Sequence, residues 1–221
     1  MNETIKNSLS LEKIYKAQQS IKGVVQTTPL AFMKNFSEYY SANIYFKRED
    51  IQVVRSYKIR GAYNKIQSLS KNELANGIVC ASAGNHAQGV AFACKKLKVQ
   101  GTIFMPVTTP HQKIEQVKMF GDEFVDIKFF GDSYDDSQKA ATDFCKENNS
   151  TFVHPFDDID VIAGQGTIGL EILNDADTQI DYLFMPVGGG GLASGVGSVF
   201  KSLSPETKLI GVEPKGAPSL T

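Results

Sequence analysis

The sequence predicts an α/β protein with mostly parallel strands, and two observations lead there. Short β-rich runs alternate with longer stretches of helical period along the chain. Two loops of glycine and small residues, at 82–89 and 188–191, each join a strand run to a helical one. A chain of 221 residues can bury a substantial core, as one or two domains.

The elements follow in order. An amphipathic helix is expected over 10–21, with Leu11, Ile14, Tyr15 and Gln18 on one face. A strand at 43–47 precedes a helix over 56–69. Ile78-Val79-Cys80-Ala81 reads as strand, 87–97 as helix, Thr102-Ile103-Phe104-Met105 as strand and 109–120 as helix. The run 124–129 reads as strand, 134–148 as helix and 151–153 as a short strand. A helix over 159–173 opens with small residues, and strand 182–185, helix 192–203 and strand 208–212 complete the pattern. Ile210-Gly211-Val212-Glu213 looks like a buried strand, yet the chain stops eight residues later. A parallel strand needs cover on both faces, so the domain is expected to be incomplete.

Composition removes several function classes. Hydrophobic residues make up 42% and charged residues 21%, as in an ordinary globular protein. The net charge is −1 and the basic residues are scattered, which argues against nucleic acid or an anionic membrane as partner. No stretch approaches the roughly 18 apolar residues of a membrane span, and the polar N-terminus lacks a signal-peptide core. Cys80, Cys94 and Cys145 lie far apart and fit no metal-ligand spacing; they read as reduced, mostly buried thiols of a cytoplasmic protein. His86, His111 and His154 are as dispersed, which disfavours a zinc site.

Three segments carry candidate chemistry. In Ser56-Tyr57-Lys58-Ile59-Arg60-Gly61-Ala62, capping by Ser56 would place Lys58 in the first helical turn. The positive end of the macrodipole and partial burial both favour the neutral amine there, the form that makes a Schiff base. Gly61 and Ala62 would leave room for a flat ligand; alternatively, Lys58 is a surface lysine and Gly61 admits a neighbouring helix. Ser82-Ala83-Gly84-Asn85-His86 opens a helix after a strand, where free N–H groups suit an anion. It also reads as a simple cap by Ser82 and Asn85 with His86 facing solvent. Gly188-Gly189-Gly190-Gly191 lets backbone N–H groups converge on an oxyanion such as phosphate. No Lys-Ser or Lys-Thr follows, so it is no nucleotide P-loop, but Gly188, Gly190 and Ala193 with Glu213 keep a dinucleotide-binding alternative open.

In this order the three segments resemble the fold-type II pyridoxal-phosphate enzymes, in particular the serine/threonine dehydratases. The resemblance runs from about Ser10 to the end and is strengthened by Lys47-Arg48-Glu49-Asp50, by Ala163-Gly164-Gln165-Gly166-Thr167-Ile168-Gly169-Leu170-Glu171 and by Ile210-Gly211-Val212-Glu213-Pro214. It implies two lobes with open, mostly parallel sheets. The smaller lobe, 55–153, is inserted into a larger lobe formed by 1–54 and 154–221, incomplete in this chain. It implies pyridoxal 5'-phosphate as cofactor, with Lys58 holding it through a Schiff base and later moving the Cα proton. Tyr57 would pack on the pyridine ring, Asn85 would hydrogen-bond the phenolic oxygen, and Gly188, Gly189, Gly190 and Gly191 would hold the phosphate. Ser82, Asn85 and His86 would receive the substrate carboxylate. Glu171 and His154 are read as structural.

The implied reaction is deamination of L-threonine to 2-oxobutanoate and ammonia, with activity on serine as well. Gln112-Lys113-Ile114-Glu115-Gln116-Val117-Lys118 is similar to the biosynthetic branch that feeds isoleucine. Serine racemases carry a serine acid/base where this chain has Ala83, so racemisation is disfavoured. They also bind a divalent cation near the position of Glu213, with a second carboxylate where Ser219 stands, so no tight metal site is expected. The residue facing the pyridine nitrogen falls beyond Thr221 in the family pattern. A homo-oligomer, dimer or tetramer, is expected of the full-length form. A serine dehydratase, an NAD-binding oxidoreductase and an inactive fragment are the alternatives.

Overall fold

The structure, a computed structural model, describes residues 9–219. Helix α1 (Leu11–Ile21) starts at Ser10, whose hydroxyl accepts from the Lys13 N–H at 3.3 Å. Its buried face is Ile14, Ala17 and Ile21; Tyr15, expected on that face, is exposed. An antiparallel pair follows, β1 (Leu30–Phe32) and β2 (Tyr45–Lys47), bridged by helix α2 (Lys34–Tyr40). Of these the sequence reading held only the second strand, at 43–47. A 3-10 turn (Glu49–Ile51) leads to α3 (Lys58–Gln67), then α4 (Lys71–Ala75). Helix α4 carries a capping box between Ser70 and Glu73, a spacing visible in the sequence and passed over there.

The central layer is a parallel sheet of four strands. They are β3 (Ile78–Ala81), β4 (Gly101–Met105), β5 (Val125–Phe129) and β6 (Thr151–Phe152), in the order β5-β4-β3-β6. Helices α5 (Asn85–Leu97), α6 (His111–Gly121) and α7 (Tyr134–Asn148) make the crossovers. Alternation divides β3 between two cores. Ile78 and Cys80 join Ile59, Ile66, Val90, Cys94 and Met105 on one side, while Val79 and Ala81 join Phe104, Ala141 and Cys145 on the other. Burial on both faces explains why β3 reads as an unbroken apolar run. All three cysteines are buried and unpaired, as expected.

The last part of the described chain is α8 (Ile159–Asp175), β7 (Tyr182–Pro186), α9 (Gly191–Leu203) and β8 (Lys208–Val212). β7 and β8 pair in parallel, with Phe184 opposite Ile210. Met185 and Leu183 pack on Ile168, Ile172, Val196 and Phe200 of α8 and α9. The other face stays open: Tyr182, Phe184, Ile210 and Val212 are all exposed. The expectation that 210–213 is a buried strand is therefore corrected, because helices cover only one face of this pair among the described residues.

Helix α8 is the hub. Asp158 caps it by accepting from Asp160 and Val161, and Gly164 and Gly166 let other backbones come close. A Cβ on Gly164 would lie 2.6 Å from the Arg60 carbonyl oxygen, and one on Gly61 would lie 2.6 Å from the Val161 carbonyl oxygen. Gly61 thus admits a neighbouring helix, and the reading of Gly61 and Ala62 as space for a flat ligand is overturned.

Candidate active site

Lys58 stands at the first position of α3. Its helix is not capped by Ser56 as expected: Tyr57 precedes it in helical conformation, and the buried Ser56 hydroxyl has no partner. The consequence anticipated for Lys58 still holds. The amine is largely withdrawn from water, and desolvation lowers its pKa from 10.5 to about 8. Its Nζ donates to the Pro155 carbonyl at 2.6 Å and sits 5.6 Å from the centre of the Tyr57 ring. No carboxylate is bonded to it among the described residues, so nothing offsets the desolvation.

The Pro155 carbonyl is held by a turn. His154 Nδ1 accepts from the Asp157 N–H at 2.7 Å and the Phe156 N–H at 3.3 Å. Phe156 in turn underlies the glycine run. A Cβ on Gly189 would fall 2.2 Å from its ring, one on Gly191 would fall 2.8 Å from its carbonyl oxygen, and Gly190 has φ +84°. Those approaches and that conformation require glycine, which the flexible-loop reading would not. Since α9 starts at Gly191, the N–H groups of its first turn have no intrahelical partners. Glycines 188–191, with Leu192 and Ala193 of that turn, line a cavity of about 190 Å³ together with Tyr57, Lys58 and Gln165.

Gln165, in the middle of α8, is 1% exposed, and neither of its side-chain polar atoms has a hydrogen-bond partner. Pro155, Phe156 and Gln165 line the cavity and were missed by sequence reasoning, although Gln165 lies in a segment that carried the resemblance.

The loop at 82–86 does not line that cavity. It is brought beside Lys58 indirectly: a Cβ on Gly89 would lie 3.1 Å from the Lys58 carbonyl, so the first turns of α5 and α3 nearly touch. Helix α5 begins at Asn85, and no side chain caps it; the Ser82 hydroxyl accepts from the Gly84 N–H instead. Asn85 is exposed and available. His86 is neither facing solvent nor free to bind a carboxylate through its ring. The ring is buried, with Nε2 2.9 Å from the Val153 carbonyl oxygen. A carbonyl only accepts, so Nε2 carries the proton and Nδ1 is a bare acceptor. Burial, with Lys58 nearby, pushes the pKa down to about 3, so the ring stays neutral. Only the main-chain N–H of His86 can serve an anion.

Lys47, Glu49 and Glu171 meet in a buried ion cluster, while Arg48 and Asp50 pair with each other at the surface. Arg60, fully buried, makes two-pronged contacts with Glu49 (2.7 and 2.8 Å) and Glu171 (2.6 and 2.9 Å). Lys47 adds an ion pair to Glu171 at 2.8 Å and donates to the Thr28 carbonyl. This cluster fixes α3 against α8 two residues from Lys58. It accounts for Glu171 as structural, in line with the sequence reading. At the far end of β8, Glu213 accepts from the Ser219 N–H at 2.8 Å.

An amine with a lowered pKa therefore faces an N–H cradle for an anion across one small cavity. That arrangement fits a ligand with a carbonyl at one end and a phosphate at the other, and pyridoxal phosphate has both. The comparisons with known proteins agree. The family described as pyridoxal-phosphate dependent enzyme matches residues 21–221. A biosynthetic L-threonine dehydratase of Bacillus subtilis is 58% identical over 96% of this chain and 51% of its own length. The solved structure of a processed threonine deaminase isoform from Solanum lycopersicum superposes with a TM-score of 0.90 at 43% identity, over 96% of this chain and 57% of that one. Maize serine racemase gives a TM-score of 0.89 at 32% identity, over 94% and 62%. The chain spans about half the length of the curated relatives it matches.

Proposed function

The chain belongs to the family of pyridoxal-phosphate-dependent enzymes, and from that premise we infer that its protein is a threonine ammonia-lyase. It would convert L-threonine to 2-oxobutanoate and ammonia: water leaves across Cα and Cβ and is taken up again on hydrolysis. The observation that carries this reading is the cavity between the desolvated Lys58 amine and the 188–191 cradle. The names of the relatives support the substrate.

The roles follow from the chemistry of each group. Lys58 is the amine that would hold the cofactor by its aldehyde carbon, and its neutral form would be the base that takes the Cα proton. With a pKa of about 8 it has a substantial neutral fraction near neutral pH, which an ordinary lysine lacks. Gly188, Gly189, Gly190 and Gly191 donate main-chain N–H groups to the phosphate, and Tyr57 packs against the ring. When bound, the cofactor supplies the electron sink for the charge that develops at Cα. Asn85 hydrogen-bonds the phenolic oxygen. The Ser82 hydroxyl, the Asn85 amide and the main-chain N–H of His86 receive the substrate carboxylate. Ala83 has no proton to give, so the opposite face of Cα is not reprotonated.

The same reading assigns 55–153 to the smaller lobe and 1–54 with 154–221 to the larger; the closure of the four-stranded sheet at Phe152 supports that division. It also assigns a homo-oligomeric enzyme of the cytoplasm that feeds isoleucine synthesis. The three unpaired thiols support a reducing compartment.

Supplied with pyridoxal phosphate, the protein is expected to release 2-oxobutanoate and ammonia one to one from L-threonine. L-Serine should give pyruvate more slowly and no D-serine, and Lys58→Ala should abolish turnover. Formation of D-serine, or product from Lys58→Ala, would contradict the assigned roles; absence of any product would contradict the reaction.

A further inference from the structure

We propose that Gln165 is a further ligand-binding residue of this cavity, donating through its carboxamide Nε2 to the phosphate end of the cofactor. The inference rests on the cofactor reading above and extends it to a residue to which neither the motifs nor that reading gives a role. Gln165 sits in the interior of α8, 1% exposed, and lines the cavity together with Lys58 and 188–191. Both of its polar atoms lack partners in the described protein. Leaving an amide buried and unpaired forfeits its hydration with nothing in return, so a side chain serving only to fill space would be better apolar. The amide is also confined. Its Nε2 lies 2.4 Å from where a Cβ on Gly61 would be, so the bare backbone of the Lys58 helix makes the room it occupies. Among the described residues Lys58 is the only charged side chain lining the cavity, so an anion there relies on neutral donors. The backbone N–H groups of the glycine run come from one side, and Gln165 offers a side-chain donor from α8.

The test separates a ligand-directed amide from a packing residue by the sign of two effects. Affinities of the unsubstituted chain and of Gln165→Leu are measured for pyridoxal phosphate, for pyridoxal and for inorganic phosphate, together with the melting temperature of each cofactor-free protein. The expected result is roughly a tenfold loss of affinity for pyridoxal phosphate and inorganic phosphate. Affinity for pyridoxal should be unchanged, and the melting temperature equal or higher. Gln165→Met, closer in shape, should behave alike and guards against a poor fit of the branched side chain. Unchanged affinity for the two phosphates would overturn the proposal. So would an equal loss for pyridoxal, or a fall in melting temperature in both variants. If the unsubstituted chain bound no pyridoxal phosphate, the cofactor reading itself would fail, and this inference with it.

Discussion

Lys58 combines a helix N-terminus, a carbonyl partner and desolvation with no bonded carboxylate, and its titration should therefore be visible in stability. Its pKa falls from 10.5 unfolded to about 8 folded, so between those values the unfolded chain binds more protons than the folded one. Stability then rises with pH across that window, and below pH 8 the fold bears the full penalty of the buried cation. Lys58→Met should stabilise the cofactor-free protein by about 2–3 kcal/mol at pH 7, and the gain should fade as pH approaches 10.5. Denaturant midpoints at pH 7 and pH 10 check this; a gain independent of pH would contradict it. Its own segment left Lys58 with two readings, a Schiff-base amine or a surface lysine; the order of the three segments singled it out, and the fold adds that the amine is desolvated. Gln165 was not legible, since nothing in Ala163-Gly164-Gln165-Gly166 says which side chain faces a cavity formed by two other elements. His86 was half legible. The sequence put it at a helix start, but only the fold turns its ring onto the Val153 carbonyl.

The contact of α3 with α8 sets the geometry of the site. Gly61 and Gly164 bring the two backbones together, and Arg60 locks them through Glu49 and Glu171. An ion cluster this deep is strongly dependent on its central charge. Arg60→Met would leave two carboxylates facing one another in a buried space, with only Lys47 still on Glu171. A loss of about 3–5 kcal/mol is expected, read from urea unfolding. A loss below about 1 kcal/mol would mean that water reaches these carboxylates and the cluster is not the lock described. Strands and helices with strong period, such as α7 and β8, were read from the sequence with the bounds the structure gives them. The segment 28–40 was not, because Leu30–Phe32 and Lys34–Tyr40 are too short to show a period, and their residues stay largely exposed. The Lys47-Arg48-Glu49-Asp50 segment carried the family resemblance without a visible reason; for Lys47 and Glu49 the fold supplies one, an ion cluster that reaches Glu171 more than a hundred positions away.

Across the whole molecule, a four-stranded parallel sheet with helices on both faces stands beside a β7–β8 pair covered on one. The cavity draws its walls from the start of α3, the 154–156 turn, the middle of α8 and the start of α9. The alternation of strands and helices made the α/β class legible, and the two loops between strand and helix gave the 82–89 segment and the glycine run. How those parts approach one another was not legible, because helix crossings at glycines depend on residues distant in sequence. The dinucleotide alternative fitted the glycine loop and Glu213 but gave Lys58 and the Asn85 loop no task, and the family match sets it aside.

One amine beside one anion cradle is what the site depends on. The direct measurement is borohydride reduction after incubation with pyridoxal phosphate, followed by peptide mass mapping. Label confined to the peptide that holds Lys58, and lost when inorganic phosphate competes, is the predicted result. Label absent, or spread over exposed lysines such as Lys16 and Lys139, would contradict it.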